Sequence, residues 1–382
     1  MAQGRALVGF VLASVVLSPT LGSNVLVATS RAGRSTSRSD YRASVIARAR
    51  VWAETDVPKM NLMAGPGGAK AFAPTQDVTC TYSKRKLTGK TPKFECVIGD
   101  NDPVKVKYGG DNGEVYGEVL STRLLWALGF GADHMYSVRV ICRDCPSTLN
   151  GVIRSPTESI FDPTAIERKM PGEAFRPDEG WSWKELDLVD EESGGASRAE
   201  IDALKLMAVF IQHTDSKPEQ QRLTCLEEPK AEHEHKAEHK PHKSKTKDQM
   251  ACAHPFMLIN DLGVTFGRAN KFNEGKIGSV NLAEWSKTPV WQDPDACVGN
   301  LPKSATGTLD NPVISEAGRR FLADLLARLS DRQLHDLFEA ARVTLRLRDP
   351  QDVFSGFPTI QEWVDAFKQK REQIVNHRCA TT

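Results

Sequence analysis

The sequence predicts an α+β protein in which a β-rich first part precedes a helical second part. Strand-favouring runs alternate with turn residues over residues 76–108, apolar residues recur at helical spacing over 113–128, and further helical patterns follow residue 197. The 382 residues are 40% hydrophobic and 26% charged, which is ordinary for a globular protein. A net charge of +1 gives no reason to expect a nucleic-acid partner.

The N-terminus has the pattern of a secretory signal peptide. Arg5 precedes the apolar run of residues 6–17, and Pro19 and small residues follow. This run is too short to span a bilayer, which favours a signal peptide within residues 1–30, with its cleavage point open, over an anchor or a core helix. We expect an exported protein, periplasmic or extracellular, with no integral membrane span in the mature chain. Residues 31–70 begin Ser- and Arg-rich, which predicts a loosely ordered leader.

Eight cysteines suit an exported chain that is held by disulfide bonds. Local spacing favours Cys80–Cys96 across a hairpin and Cys225–Cys252 across a charged insertion, and it leaves the other pairings open. The C-x-x-C at 142–145 is followed by Pro rather than His, so it is not a haem attachment site. Redox activity stays an alternative to a structural role for this motif.

Residues 71–170 form the predicted β-rich part. The segments VTCTYSKRK, KFECVIG and VKVKYG favour strands and are separated by turn-forming residues. Residues 113–128 predict a helix that Gly129 terminates. Two further segments, 135–142 and 165–170, favour strands again.

Residues 171–382 form the predicted helical part. The segment 198–212 predicts a strongly apolar helix with Ser197 as its N-cap. Residues 226–251 are a low-complexity, His-rich insertion that is too polar to pack, which predicts a solvated loop or, alternatively, a metal-binding one. Amphipathic patterns predict three more helices, at 314–329, 330–345 and 359–375.

A polar stretch, HTDSKPEQ, directly follows the apolar helix. It resembles the H-R-D-L-x-x-x-N catalytic loop of the protein-kinase-like fold, with His213, Asp215 and Gln220 at the His, Asp and Asn positions. Downstream, an apolar run ends in Asp261-Leu-Gly, which resembles the metal-binding D-F-G motif. The two aspartates are 46 positions apart, and removing the 26 residues enclosed by the Cys225–Cys252 pair leaves 20, which suits a hairpin between the two loops.

The segment VKVK (104–107) resembles the V-A-I-K strand of the same family. It puts Lys107 at the position of the nucleotide-binding lysine, and Glu118 lies on the following helix, where a kinase holds the carboxylate partner of that lysine. Glu114, one turn earlier, and Lys105 are the fallback residues for these two roles.

The resemblance implies a two-lobed fold, with a β-rich N-lobe and a helical C-lobe, that uses ATP and Mg²⁺ or Mn²⁺. Lys107, held by Glu118, would bind the α- and β-phosphates. Asp261 and Gln220 would supply oxygen ligands to the metal.

The resemblance also implies how the group transfer would proceed. Asp215 would orient the acceptor hydroxyl and accept its proton, and Lys217 would stabilise the transferring phosphoryl group. The residues do not specify whether the hydroxyl-bearing acceptor is a protein or a small molecule. Transfer of a nucleotide instead of the γ-phosphate is an open alternative.

Three departures from the family pattern point to an atypical, secreted or exported branch. The glycine-rich loop is absent, and the equivalent turn carries Lys90 and Lys93, whose ammonium groups would replace some backbone contacts to phosphate. Gln220 is one methylene longer than Asn, and no A-P-E follows the D-L-G. The missing glycine-rich loop and Gln220 also favour the alternative of a catalytically weak or inactive, pseudokinase-like binding or scaffold protein.

Overall fold

A computed structural model describes the chain over residues 38–89, 91–149, 153–154, 157–175, 180–226, 252, 255–267, 279–304, 307–346 and 357–380. Over these ranges the protein has a mixed α+β structure, which confirms the predicted class. The predicted signal peptide, Lys90 and nearly all of the His-rich insertion lie outside the described residues. No helix in these ranges combines the length and the apolar character needed to cross a membrane.

The secondary structure contains the strands and helices that the sequence predicts, in the predicted order, together with shorter elements that were not predicted. The strands are β1 (Asp77–Ser83), β2 (Lys93–Ile98), β3 (Asp102–Tyr108), β4 (Gly131–Ala132), β5 (His134–Arg143), β6 (Ile153–Arg154), β7 (Glu158–Arg168), β8 (Glu173–Ala174), β9 (Gln221–Cys225), β10 (Pro255–Ile259), β11 (Trp291–Asp293) and β12 (Val298–Gly299). The α-helices are α1 (Arg38–Ala47), α2 (Gly113–Ala127), α3 (Arg198–Ile211), α4 (Leu282–Lys287), α5 (Glu316–Ala327), α6 (Asp331–Ala340) and α7 (Ile360–Val375). The strand predicted at 165–170 is the end of the longer β7.

The largest sheet has the order β3-β2-β1-β5-β7-β6, and β3 also pairs with β7, so five of its strands close into a ring. Alternate residues of β3, Val104, Val106 and Tyr108, are buried in a separate apolar core with Phe94 and Phe161. The side chains of the residues between them, including Lys107, therefore project from the opposite face of the strand.

Helix α2 is buried on nearly all of its circumference, between this sheet and α6. It begins at the N-cap Asn112, whose Oδ1 accepts a hydrogen bond from the backbone N of Glu114. It ends at Ala127 with Leu128 as the C-cap, and Gly129 follows in a left-handed conformation with φ of 86°, as predicted for the terminator.

A smaller sheet has the order β4-β10-β9-β8. Its β9–β10 hairpin joins the two loops that resemble kinase motifs. Helix α3 ends just before the first of these loops and packs against α5. Ser197 caps α3 as predicted, in a reciprocal capping box with Glu200, and Ser330 caps α6 in the same way.

Four disulfide bonds join the described cysteines. The two pairs favoured by local spacing are both present, which confirms that prediction. The two pairings that the sequence left open are Cys142–Cys145 and Cys297–Cys379.

Residues 38–72 form a segment, called here the N-terminal strap, that contacts both parts of the molecule. The expectation of a loosely ordered leader at 31–70 does not describe these residues, because several apolar side chains of the strap are buried in the main core. They are Val45, Ile46, Val51, Val57 and Leu62. These residues recur with neither the helical nor the strand period, so periodicity gives no sign of their burial.

The strap is also bound through its backbone. Arg50 forms a bridge to Phe256 of β10, and Trp52 forms one to Phe130 after α2. Gln333 of α6 donates to the carbonyl oxygens of Val57 and Met60. These contacts tie the strap to elements that lie between 78 and 276 positions later in the chain.

Candidate functional site

Lys107 lies at the centre of a buried ionic cluster. Its side chain is 1% exposed. Its Nζ donates to Glu114 Oε2 at 2.8 Å, to Glu118 Oε1, and to Asp261 Oδ1 at 3.3 Å. The structure thus brings together three of the predicted site residues, from β3, α2 and the loop after β10.

Two glutamates of α2 reach Lys107 because they are one helical turn apart. From the sequence, Glu114 was only the fallback for Glu118, whereas in the structure both carboxylates contact the ammonium. Glu114 also accepts a hydrogen bond from Thr91 Oγ1 at 2.6 Å, which joins the β1–β2 turn to α2. Thr91 has no local sequence signal that would have indicated this contact.

Burial and charge act against each other in this cluster. Burial alone would lower the pKa of Lys107, but the carboxylates around it outweigh this effect and raise that pKa well above its ordinary value. Burial raises the pKa of Glu118 well above its usual range, although Lys107 opposes the shift. Burial would also raise the pKa of Asp261, but Lys107 outweighs it and holds that pKa far below its usual range.

The D-L-G segment places Asp261 directly after β10. The backbone N of Gly263 donates to Asp261 Oδ1 at 3.3 Å, which curls the segment around the carboxylate. Gly117 of α2 packs against this turn, since a Cβ there would come within 2.6 Å of the Gly263 carbonyl oxygen. A glycine allows this close approach of two backbones, and it brings α2 and the Asp261 loop together.

The HTDSKPEQ loop begins where α3 ends. Gln212 adopts a left-handed conformation, with φ of 55°, and turns the chain out of the helix. His213 is fully buried beside the ring of Trp183. Burial lowers its pKa to about 4, so the imidazole is neutral at pH 7. His213 thus packs inside the protein, uncharged.

Asp215 is partly exposed and lies beside two of the other predicted residues. Its Oδ2 accepts a hydrogen bond from Gln220 Nε2 at 2.9 Å and lies 3.3 Å from Lys217 Nζ. The carboxylate of Asp215, the ammonium of Lys217 and the amide of Gln220 therefore lie together in this loop. The amide nitrogen of Gln220 is turned to Asp215, which leaves its carbonyl oxygen as the group to offer a metal.

The loops that carry Asp215 and Asp261 are joined through their backbones. The N of Thr214 donates to the carbonyl oxygen of Val264 at 3.3 Å, and the N of Asn260 donates to that of Gln220 at 2.9 Å. The two predicted aspartates therefore lie on adjoining loops, although 46 positions separate them.

Lys93 faces the cluster from β2. It is paired in register with Lys107, so both side chains leave the same face of the sheet. Burial and the charge of Lys107 lower the pKa of Lys93, whereas Glu114 and Asp261 oppose this shift. Lys105, the fallback lysine, instead pairs with Glu167 of β7.

Three carboxylates of the cluster have the spacing of a cation site. One oxygen each of Glu114, Glu118 and Asp261 lies within 4.8 Å of the others. Glu118 Oε2 is buried and has no hydrogen-bond partner among the described residues. A buried carboxylate oxygen of this kind is costly unless a proton or a cation compensates it.

No protein family and no curated protein sequence matches the chain. Among solved structures, the chain is similar to the crystal structure of the Helicobacter pylori proinflammatory kinase CtkA. The similarity covers 80% of this chain and 95% of that chain, with 9% sequence identity and a TM-score of 0.39.

Proposed function

We propose that this protein is an atypical, kinase-like phosphotransferase that uses ATP and Mg²⁺ or Mn²⁺ to phosphorylate a hydroxyl-bearing acceptor. Under this proposal the chain has a two-lobed protein-kinase-like fold, with residues 71–170 as the β-rich N-lobe and 171–382 as the helical C-lobe. The nucleotide would lie between the lobes, against Lys107 and Asp261.

The observation that carries the proposal is the buried contact of Lys107 with Glu118 and Asp261. The order Lys, Glu, H-x-D and D-x-G along a chain can arise by coincidence. A buried strand lysine that is bonded both to a helix glutamate and to the aspartate of a D-x-G turn is far more specific. Because the surrounding carboxylates raise the pKa of Lys107, the side chain stays a cation, which is the form that binds phosphate oxygens.

In the proposed reaction, Asp215 accepts the proton of the acceptor hydroxyl and orients its oxygen for in-line attack on the γ-phosphorus. The bond from that phosphorus to the bridging oxygen breaks, and ADP leaves. Lys217, which lies 3.3 Å from Asp215, balances the negative charge of the transferring group. Lys93 joins Lys107 in facing the nucleotide phosphates, in the place of glycine-loop amides.

The carboxylates fit a divalent cation. When bound, such a cation would neutralise part of the negative charge of the nucleotide phosphates. Asp261 and Glu118 would hold it, because a buried oxygen of Glu118 has no hydrogen-bond partner among the described residues. Gln220 would add its carbonyl oxygen.

Export is part of the proposal. Four disulfide bonds suit an oxidising compartment, such as the periplasm or the extracellular space. The signal-peptide pattern at residues 1–30 agrees with this location.

The test is transfer of label from γ-labelled ATP, with Mg²⁺ or Mn²⁺, to the protein itself and to a panel of hydroxyl-bearing acceptors. Asp215→Ala should lower the transfer rate by at least about 100-fold. The matched control is Asp100→Ala, which removes an exposed carboxylate in the β2–β3 turn and should leave the rate unchanged. No transfer by the wild type, or transfer that Asp215→Ala leaves intact, would overturn the proposal. A parallel assay with α-labelled ATP detects nucleotide transfer.

A pseudokinase-like binding or scaffold protein is the second candidate. One observation favours it: Gln220 Nε2 is hydrogen-bonded to the Asp215 carboxylate, which is the group that must receive the acceptor hydroxyl. This candidate predicts no transfer in any assay and unchanged function after Asp261→Asn.

A further inference from the structure

Three soft metal ligands meet on elements that do not contribute to the Lys107 cluster. Cys297 lies in the turn between β11 and β12, and His377 and Cys379 follow α7. Their ligand atoms lie within 4.8 Å of one another. The Nε2 of His377 is 3.2 Å from the Sγ of Cys297 and 3.0 Å from the carbonyl oxygen of Pro294.

The two sulfurs form a disulfide bond in the structure, and in that state they are not metal ligands. Reduction would convert them to two thiols, which are deprotonated to thiolates when they bind a metal. Two thiolates and one imidazole favour Zn²⁺ over hard cations such as Mg²⁺. Zinc also accepts three protein ligands with water in the fourth position.

Contacts that do not involve the disulfide hold both chain segments in place. On the C-terminal side, the Nε1 of Trp291 donates to the carbonyl oxygen of Gln373 at 2.8 Å, and the Trp291 ring lies 4.8 Å from that of His377. The backbone N of Cys379 donates to Glu316 Oε2 at 2.9 Å.

The other cysteine is held as well. The backbone N of Ile314 donates to the carbonyl oxygen of Cys297 at 3.0 Å, and the N of Cys297 donates to that of Pro294 at 3.2 Å. The two sulfurs should therefore stay close to each other and to His377 after the S–S bond is cleaved.

We propose that the reduced protein binds one Zn²⁺ through Cys297, His377 and Cys379. A dithiol reductant supplies the two electrons that cleave the S–S bond and is itself oxidised to a disulfide. The two protons taken up by the sulfurs are released when the metal binds. Zinc binding and oxidation compete for the same sulfurs, so bound zinc keeps the pair from forming its disulfide. This site does not depend on the proposed phosphotransferase activity.

The test measures how many zinc ions the full-length protein binds. The protein is first reduced with a dithiol, the dithiol is then removed under anaerobic conditions, and the protein is equilibrated with Zn²⁺. The double variant Cys297→Ser/Cys379→Ser removes the proposed ligands. The matched control, Cys142→Ser/Cys145→Ser, removes a different disulfide. Every chain keeps the His-rich insertion, so any zinc bound there cancels in the comparison.

We expect the wild type and the control to bind one more Zn²⁺ per chain than Cys297→Ser/Cys379→Ser, and only after reduction. Co²⁺ in place of Zn²⁺ should give a thiolate-to-metal absorption band that this variant lacks. His377→Ala, which keeps both cysteines and their disulfide, should weaken binding by at least about tenfold. Equal zinc counts in the wild type and Cys297→Ser/Cys379→Ser, or a cobalt spectrum without thiolate ligands, would show that the pair is a structural disulfide only.

Discussion

The Lys107 ammonium compensates three carboxyl groups that lie within hydrogen-bond distance of it. Removing one partner of a buried ion pair costs more than the pair contributes, because the remaining charge is left without compensation. The lysine is the shared partner of all three carboxyl groups, so the stability of this region depends more on Lys107 than on any one of them.

Lys107→Met should therefore lower the free energy of unfolding by about 3–5 kcal/mol at pH 7. The loss should shrink as the pH falls below the ordinary aspartate pKa of 3.8, because Lys107 stabilises the folded wild type by holding the pKa of Asp261 far below that value, and this stabilisation disappears as the pH decreases. Urea unfolding at several pH values measures both effects. Lys105→Met is the matched control, since Lys105 leaves the same face of β3 but is 24% exposed and pairs with Glu167. Equal losses in the two variants would contradict the central position of Lys107.

His213 should make stability depend on pH. Its pKa is about 4 in the folded protein, against an ordinary 6.5, because of burial. The unfolded chain therefore binds the proton more readily between these values, so stability falls as the pH decreases from 6.5 to about 4, by about 3 kcal/mol in all.

His213→Leu should lose this part of the pH dependence, because leucine takes up no proton. The measurement is the free energy of unfolding in urea across that pH range. His335→Leu, at an exposed position of α6, should keep the wild-type slope. A wild-type slope in His213→Leu would show that the buried imidazole is not the titrating group.

For individual residues, the sequence predicted which side chains belong to the site better than it predicted the contacts between them. Lys107, Glu118 and Asp261 could be named because each stands at a motif position on a recognisable element. The Thr91–Glu114 bond and the turn of Gln220 toward Asp215 depend on side-chain directions that no spacing encodes.

Among the elements, α2 is the one that connects the lysine strand to the Asp261 loop. The carboxylates of Glu114 and Glu118 reach Lys107 on the strand, and the helix backbone lies against other backbone at two places. A Cβ at Gly113 would come within 2.4 Å of the Ser279 carbonyl oxygen, and one at Gly117 within 2.6 Å of that of Gly263. Neither carbonyl is the end of a flexible side chain, so it cannot simply rotate away.

Gly117→Ala should lower both stability and phosphoryl transfer. Alanine improves helix propensity by up to about 1 kcal/mol, but overpacking against backbone typically costs about 1–3 kcal/mol, so the net change should be destabilising. Transfer should fall further than stability alone explains, because the displaced carbonyl belongs to the Asp261 loop. The measurements are urea unfolding and the rate of label transfer at saturating ATP.

Gly67→Ala is the control for this substitution, because no atom lies within 4 Å of where its Cβ would be. It should leave both the unfolding free energy and the transfer rate close to wild type. If Gly117→Ala did the same, the packing of α2 against the D-L-G turn would not matter for the site.

Periodicity and capping residues predicted the longer elements, because a buried face leaves a regular pattern. Helices α3, α6 and α7 begin at Ser or Thr caps that can be read directly from the sequence. The two-residue strands β4 and β8 are too short to show a periodic pattern, so the sequence did not predict them. The β3–β7 pairing depends on how all five strands of the ring close, which no single segment of the sequence indicates.

Over the whole molecule, the N-terminal strap joins the first described residues to the last third of the chain. Gln333 Nε2 donates to the carbonyl oxygens of Val57 at 2.7 Å and Met60 at 2.9 Å, across more than 270 positions. Two backbone acceptors of the strap thus depend on one side chain of α6. No local sequence pattern could have indicated this contact between the strap and α6.

Gln333→Leu should lower the free energy of unfolding by about 1–3 kcal/mol, because it leaves the carbonyl oxygens of the strap without their donor and also removes the Oε1 that accepts from Ser330 N in the capping box of α6. Gln361→Leu is the matched control, since the Gln361 Nε2 donates to Asp365 Oδ1 on an exposed face of α7. It should change stability by less than about 0.5 kcal/mol. Thermal or urea unfolding distinguishes the two, and equal effects would argue against a structural role for the strap.

The central claim is that Lys107 and Asp261 together hold a nucleotide–metal complex, and it is tested most directly by the shift in Tm on adding ATP with Mn²⁺ or Mg²⁺. For the wild type we predict a rise that requires both nucleotide and metal, equivalent to about 2.7 kcal/mol when the ligand is at about 100 times its Kd. Asp261→Ala and Lys107→Met should abolish the rise. No rise in the wild type, or an equal rise in Asp261→Ala, would contradict the account.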